Sequence, residues 1–135
     1  MSPKIRLFFW IMLLAGVITG TGCTRQYSRG DGLLEGKISI GPLCPVEQNP
    51  PQPGCLPTAE TYKAWPVDIW TANGSTKLLR INPLLDGSYK IELQAGRYLV
   101  RLDVNHFGSS NLPAYVQIVD GETTDFNINI DTGIR

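Results

Sequence analysis

The chain, 135 residues long, is poor in the residue types from which enzymes build active sites. His106 is its only histidine, and the nearby Ser109 and Ser110 do not stand in the Gly-x-Ser-x-Gly motif that positions a serine nucleophile. A loop histidine without a partner is typical of a solvated side chain, so a hydrolase built around His106 is the most remote hypothesis. Several aspartates lie at turn signals, and none has the spacing of a calcium loop. We therefore expect no enzyme, no cofactor and no metal site.

An excess of basic residues is also missing. Twelve lysines and arginines balance twelve aspartates and glutamates. Lys4 and Arg6 lie in an amino-terminal segment of the kind that is removed on export, and without them ten basic residues face twelve acidic ones. Nucleic-acid binding depends on a basic surface that neutralises phosphates. The composition therefore argues against a nucleic-acid partner.

No apolar run is long enough to remain in a membrane as a helix. The longest run, residues 7–18, has about twelve residues, whereas a transmembrane helix needs about 20. Two basic residues precede it and Thr21-Gly22-Cys23 follows it, an arrangement that resembles a bacterial lipoprotein signal with Gly20 in place of the usual leucine. The resemblance implies a signal peptide over residues 1–22 and a palmitate-type lipid anchor on Cys23. Cleavage near Cys23 without lipidation is the alternative.

A lipidated Cys23 would hold the protein at a membrane of the bacterial cell envelope. In bacteria with two membranes, an aspartate after the lipidated cysteine tends to retain a lipoprotein at the inner membrane, and Thr24 stands at that position here. We therefore expect the outer membrane where the host has one. Residues 23–32 are polar and glycine-punctuated, which predicts a flexible tether, and residues 33–135 are enough for one domain.

The other two cysteines bound a proline-rich segment. Cys44 and Cys55 flank residues 45–54, whose prolines exclude a helix or a paired strand. A metal site would need more ligands than two cysteines and one distant histidine supply. Extracytoplasmic space permits disulfides. We therefore predict a Cys44–Cys55 disulfide that closes a loop between the first two strands.

Downstream of the tether, short runs of alternating apolar and polar residues are separated by turn signals. Asn73-Gly74 is a strong hairpin signal because a two-residue type I′ turn needs positive φ at both positions. Tyr98 follows a turn, so its hydroxyl is placed to reach back to the backbone as in a tyrosine corner. The pattern predicts a seven-stranded antiparallel β-sandwich, with strands over residues 34–40, 65–71, 77–81, 88–93, 97–104, 115–119 and 123–130.

Several short motifs resemble a transthyretin-like (prealbumin-like) domain of the carboxypeptidase regulatory type. They are Leu34-Glu-Gly-Lys-Ile-Ser-Ile, Pro66-Val-Asp-Ile-Trp, Asp86-Gly-Ser-Tyr-Lys-Ile, Ala95-Gly-Arg-Tyr-Leu-Val and Val116-Gln-Ile-Val-Asp-Gly-Glu-Thr-Thr. Ala95 replaces the usual proline, and the cysteine-bounded insertion is a second departure. The resemblance, which extends to small bacterial lipoproteins carrying this domain, implies a non-catalytic folding or interaction module.

Three aromatic residues near each other in sequence, Tyr62, Trp65 and Trp70, are candidate binding residues. Alternation places Trp70 opposite Val67 and Ile69, so it faces outward and is able to contact a partner. The alternative is that the cysteine-bounded loop folds over it. We therefore expect a lipid-anchored interaction or structural module with an envelope protein or glycan as partner, or else a small-ligand or carbohydrate-binding protein that uses Trp70 and residues 43–57.

Overall fold

The computed structural model describes residues 30–46, 48–103 and 108–134. Within these ranges the chain forms nine strands, one short α-helix and a 3-10 turn at Pro53–Cys55. The elements are β1 (Asp31–Gly41), α1 (Ala59–Ala64), β2 (Val67–Thr71), β3 (Lys77–Ile81), β4 (Ser88–Gln94), β5 (Gly96–Leu102), β6 (Ser109–Ser110), β7 (Ala114–Ile118), β8 (Thr123–Asp125) and β9 (Ile128–Asp131).

The strands form two sheets, as the sequence predicts for an all-β sandwich. One sheet has the order β4-β1-β9-β6, with β8 also paired to β1. The other has the order β3-β2-β5-β7 and is antiparallel throughout. β1 is the organising strand of the first sheet, because β4 pairs with one of its edges while β8 and β9 share the other.

The prediction of seven antiparallel strands is wrong in two respects. The region predicted as one strand over residues 123–130 is divided into β8 and β9 at Phe126 and Asn127, and the two-residue β6 was not predicted. β1 also runs parallel to both β8 and β9. At the division Asn127 Oδ1 accepts a hydrogen bond from the Lys37 N–H (2.9 Å), so a side chain replaces the ladder contact where the strand is interrupted.

The core lies between the sheets, and most of its residues lie on the faces that alternation marks as apolar, whereas Ile91, Tyr98, Leu102 and Phe126 of those faces are only partly buried. In β2, for example, Val67 and Ile69 are fully buried, whereas Trp70 on the opposite face is only partly buried. The buried apolar set is Leu34, Ile38, Ile40, Val67, Ile69, Ile81, Tyr89, Leu93, Val100, Val116, Ile118, Ile128 and Ile130.

The connection from β1 to β2 carries the disulfide and the helix. Cys44 and Cys55 lie at disulfide distance, as predicted, with Sγ atoms 2.06 Å apart. Thr58 then starts α1 with a capping box, because its hydroxyl accepts the Thr61 N–H (3.3 Å) while Thr61 Oγ1 accepts the Thr58 N–H (3.0 Å). With six residues, α1 is the single helical turn that the sequence indicates.

Two tyrosines stabilise the sandwich through hydrogen bonds from their hydroxyl groups to backbone carbonyls. The Tyr98 hydroxyl donates to the Gln94 carbonyl oxygen (2.8 Å), which confirms the predicted reach back to the backbone. Tyr89 pairs with Gly36 of β1, and its hydroxyl donates to the carbonyl oxygen of Phe126 beyond that strand. A Cβ at Gly36 would overlap this same carbonyl group, so the close approach requires glycine.

Two boundaries differ from those expected. β1 begins at Asp31, inside the segment predicted as tether. The hairpin at Asn73-Gly74 is present, but its connection is five residues long rather than a two-residue turn, and Asn73 Oδ1 organises it by accepting the Ser75 N–H (3.0 Å).

Among the described residues no helix has the length and apolar character needed to cross a bilayer.

Candidate interaction surface

The outer face of the four-stranded sheet carries a group of arginines and aromatic rings centred on Leu99. In the register of the sheet, Leu99 of β5 lies opposite Trp70 of β2 on one side and Tyr115 of β7 on the other. Arg101 stacks on the Trp70 ring, with Cζ 3.5 Å from the ring centroid, and Arg97 stacks on Tyr115 at 4.1 Å. These five residues, here called the arginine–aromatic patch, therefore form two diagonal cation–π pairs around one aliphatic side chain.

Stacking does not occupy the hydrogen-bond donors of a guanidinium group. A guanidinium that lies over a ring uses its flat face, while its N–H groups point outward in its plane. Within the described ranges, neither Arg97 nor Arg101 lies at ion-pair distance from a carboxylate. Arg97 and Tyr115 are exposed, and Tyr115 keeps 54% of its surface open to solvent. The patch is thus preorganised to donate hydrogen bonds to an anionic group.

A buried carboxylate lies beside the patch on the same face. Asp68 of β2 is fully buried and binds two cations of β3: Lys77 Nζ lies 2.6 Å from Oδ2, and Arg80 donates from Nε to Oδ1 at 2.8 Å and from Nη2 to Oδ2 at 3.1 Å. Arg80 also donates to Asp103 Oδ2 (2.7 Å), which lies 3.7 Å from Lys77 Nζ. Two carboxylates therefore neutralise two cations in one network.

A β-bulge explains how both cations reach the same carboxylate. Residues three apart in a regular strand point to opposite faces. Here Ile69 pairs with Leu79 and Trp70 with Lys77, so Leu78 is an extra residue in β3. The bulge resets the alternation and brings Lys77 to the outer face together with Arg80.

The network keeps Asp68 ionised. Burial by itself would raise the pKa of the Asp68 carboxyl, but hydrogen bonds from Arg80 and Lys77 and their charges outweigh burial, and the pKa is lowered. The pKa of the Arg80 guanidinium is raised, mainly through its hydrogen bond to Asp68. Because this network is internally neutral, Arg97 and Arg101 give the face an excess of positive charge.

The structure does not bring the three predicted binding residues together. Trp70 lies on the outer face, whereas Tyr62 on α1 and Trp65 directly after it are partly buried against the core. The Tyr62 hydroxyl donates to the Leu85 carbonyl oxygen (3.4 Å). Burial raises the pKa of the Tyr62 hydroxyl, and the negative charge of Asp86 adds a smaller increase. Tyr62 and Trp65 therefore serve mainly in packing.

One neighbour of the Trp70 ring comes from β5. The stacked group is Arg101, while Leu56 and Pro57, directly after the cysteine-bounded loop, line a groove with Tyr62 against β1 of the other sheet. A joint ligand site of Trp70 and residues 43–57 therefore stays a prediction. The indole Nε1 is buried and has no hydrogen-bond partner among the described residues.

Two of the sequence predictions lie outside the described residues. These are the lipidation site Cys23 with its signal peptide, and His106. The described residues contain no group of three or more histidine, cysteine, aspartate or glutamate side chains placed to hold a metal ion.

Sequence reasoning missed most of the patch. Alternation in β5 places Tyr98, Val100 and Leu102 on the core face, and it places Arg97, Leu99 and Arg101 on the outer face. That signal was available in the sequence. The stacking partners were not, because they depend on which strands lie beside β5 and in which register.

Comparison with known proteins supports the fold alone. No model of a known protein family and no curated protein sequence matches the chain. Among solved structures, GBS52, the minor pilin of the Gram-positive pathogen Streptococcus agalactiae, is similar with a TM-score of 0.51 and 14% identity, over 76% of this chain and 45% of that one. At this identity the likeness shows a shared β-sandwich.

Two further structures are more distantly similar. The Bacillus anthracis TIE protein has a TM-score of 0.46 and 12% identity, over 76% of this chain and 17% of that one. A DUF3823 family protein from Parabacteroides merdae ATCC 43184 has a TM-score of 0.45 and 16% identity, over 75% of this chain and 46% of that one. The chain thus spans less than half the length of each of these three proteins.

Proposed function

We propose that this chain is a lipid-anchored, non-catalytic protein of the bacterial cell envelope, and that it serves as an interaction module. The lipoprotein-like segment ending at Cys23 supports the anchor and the location. The sandwich fold, which a minor pilin shares, supports a structural or interaction role. Transthyretin-like membership remains part of this proposal, on the motifs given above.

The observation that carries the binding role is the arginine–aromatic patch. Tryptophan, tyrosine and arginine are the residue types most enriched among binding hot spots. In the patch they surround Leu99 on the outer face of the four-stranded sheet, and the arginines add positive charge without a carboxylate partner in the described ranges. An exposed sheet face of this kind suits a protein surface better than a small molecule, which binds in a concave pocket.

The charge of the patch indicates the chemistry of the partner. Stacked guanidinium groups bind carboxylates in a bidentate manner and lose little conformational entropy in doing so. Arg97 and Arg101 lie four residues apart on the same face of β5, on either side of Leu99. The partner is therefore an envelope protein that presents carboxylates around an apolar side chain.

Photo-crosslinking in the native organism tests this role. The full-length chain carries a photoreactive amino acid at position 115, and matched chains carry it at Lys90, an exposed residue of the other sheet. We expect a discrete adduct from position 115 that disappears in Arg97→Ala and persists in Gln117→Ala, an exposed neighbour on β7. Equal adducts from both positions, or an adduct indifferent to Arg97→Ala, would contradict the assignment of the patch.

Metabolic labelling tests the anchor separately. Cells grown with a labelled palmitate analogue should incorporate it into the chain, and Cys23→Ser should abolish the label. An unlabelled wild-type chain would refute lipid anchoring, whereas the crosslinking result would still stand.

A further inference from the structure

Within the described residues, one end of β1 has a neighbouring strand on one side only. β4 pairs with β1 from Asp31 to Lys37, and the Ile38 N–H donates to the Gly87 carbonyl oxygen (2.8 Å) as the final contact on this edge. On the opposite edge, β9 continues to pair with β1 from Ile38 to Gly41. The last residues of β1 therefore have a partner on one side only within the described part of the chain.

Backbone alternation identifies the groups on this open edge. In a strand, the N–H and C=O of one residue point to the same side, and the next residue points to the other. Ile38 points toward β4, whereas the Gly41 carbonyl accepts the Thr132 N–H (3.1 Å) on the β9 side. Ile40 therefore directs its N–H and C=O to the open edge, where no described strand continues.

A groove of about 620 Å³ runs along this edge. It is lined by residues 37–40 of β1, by Leu56 and Pro57 after the cysteine-bounded loop, and by Tyr62, Leu85 and Asp86. Leu85 keeps 70% of its surface exposed and Leu56 keeps 49%, although both are large apolar residues. The groove thus combines an unpaired backbone edge with exposed aliphatic walls.

We propose that this groove binds an extended peptide segment of a partner protein by β-strand addition. The segment continues the line of β4, antiparallel to β1, so that one of its residues exchanges two backbone hydrogen bonds with Ile40. A large aliphatic side chain of the segment packs between Leu56 and Leu85. Unpaired N–H and C=O groups in ladder geometry select an extended backbone, which a membrane surface or a glycan does not offer.

The groove lies at the end of the domain opposite to the amino-terminal tether. With the tether anchored in a membrane, as proposed above, the groove faces a partner on the side away from that membrane. The amino-terminal end of the domain lies beside the β4–β5 turn, where Ala95 N–H donates to the Gly30 carbonyl (2.9 Å). The groove lies at the other end of β4, next to Gly87. It also belongs to the other sheet from the arginine–aromatic patch, so the two proposals can fail independently.

Amide exchange and peptide titration, followed by NMR on the full-length chain in detergent micelles, test the proposal. In the free chain, we expect the Ile40 amide to exchange faster than that of Ser39, which faces β9. The probe is the acetylated, amidated heptapeptide Lys-Thr-Val-Leu-Val-Thr-Lys. We expect saturable binding that protects the Ile40 amide, and a loss of at least tenfold in affinity when proline replaces the central leucine, because proline has no N–H.

Two neighbouring leucines provide matched variants. Leu85 lines the groove, whereas Leu84 is equally exposed, at 68%, and is not among its lining residues. We expect Leu85→Asp to weaken peptide binding at least tenfold and Leu84→Asp to change it less than twofold. Protection of the Ile40 amide in the free chain, no saturable binding, or equal effects of the two variants would overturn the proposal.

Discussion

Replacement of Asp68 by asparagine tests the buried ion network on the outer face of the four-stranded sheet. The change conserves the shape of the side chain and removes its charge. Asp68 accepts one hydrogen bond from Lys77 and two from Arg80. An amide accepts at one atom only and presents N–H groups to the cations at the other. We therefore expect Asp68→Asn to destabilise the fold substantially.

The expected loss in the free energy of unfolding follows from the burial of Asp68 and the partial exposure of Lys77 and Arg80. Removing one partner of a buried ion pair costs about 3–5 kcal/mol. Asp68 has no exposed side-chain surface, but Lys77 and Arg80 keep 37% and 41% of theirs, so water can solvate both cations in the variant. Arg80 also retains Asp103. We expect a loss of about 3 kcal/mol at pH 7, which lowers the melting temperature by about 12 °C or more.

The direction of the Asp68 pKa shift determines how the stability difference between wild type and Asp68→Asn changes with pH. The folded-state pKa of Asp68 is lowered, so the stabilisation from its ionised form is fully present above the unfolded-state pKa, about 3.9, and is lost as the pH falls through the folded value. The variant lacks this titration. The difference between wild type and Asp68→Asn, measured by urea unfolding from pH 7 to pH 2, should therefore narrow as the solution becomes more acidic.

The Glu35–Lys90 pair provides the control. It joins two side chains of the other sheet at 3.2 Å, with 37% and 65% of their surfaces exposed. Glu35→Gln should change the free energy of unfolding by no more than about 0.5 kcal/mol. The reasoning fails if Asp68→Asn is as mild as this control at pH 7, or if its deficit is undiminished at pH 2.

Three further changes probe the packing. Gly36→Ala should destabilise the fold by about 3 kcal/mol in urea unfolding, because the added methyl group overlaps the Phe126 carbonyl. Tyr98→Phe should cost about 1 kcal/mol through loss of one hydrogen bond to the backbone, and no change would mean that the bond is solvent-replaceable. Reduction of the Cys44–Cys55 disulfide should cost at most about 3 kcal/mol, measured as the shift in urea midpoint with and without reductant, and an unshifted midpoint would contradict a role in stability.

The local sequence pattern is sufficient to predict which face of each strand is buried. Apolar alternation places Tyr89, Ile91 and Leu93 on one face, and Phe126, Ile128 and Ile130 on another. Four of them lie in the core, and Ile91 and Phe126 are partly buried against it. The reason is physical: side chains of a strand alternate, and only one side of each sheet can be buried in a sandwich.

Pairing between distant strands could not be predicted in the same way. The parallel contacts of β1 with β8 and β9 join segments about 90 residues apart, and the Leu78 bulge depends on the register with β2. The patch around Leu99 combines three strands, so it exists only once that register is set. Glycine and asparagine signals predicted where the Asn73-Gly74 hairpin turns, but not the length of its connection.

The most direct test of the central claim is the affinity of the partner that the position 115 crosslink identifies. Binding of this partner to the full-length chain is measured by titration calorimetry at low and at high salt. The account predicts that the double change Arg97→Ala with Arg101→Ala weakens binding at least tenfold and reduces its salt dependence. An unchanged affinity, with the salt dependence retained, would contradict the arginine–aromatic patch as the binding surface.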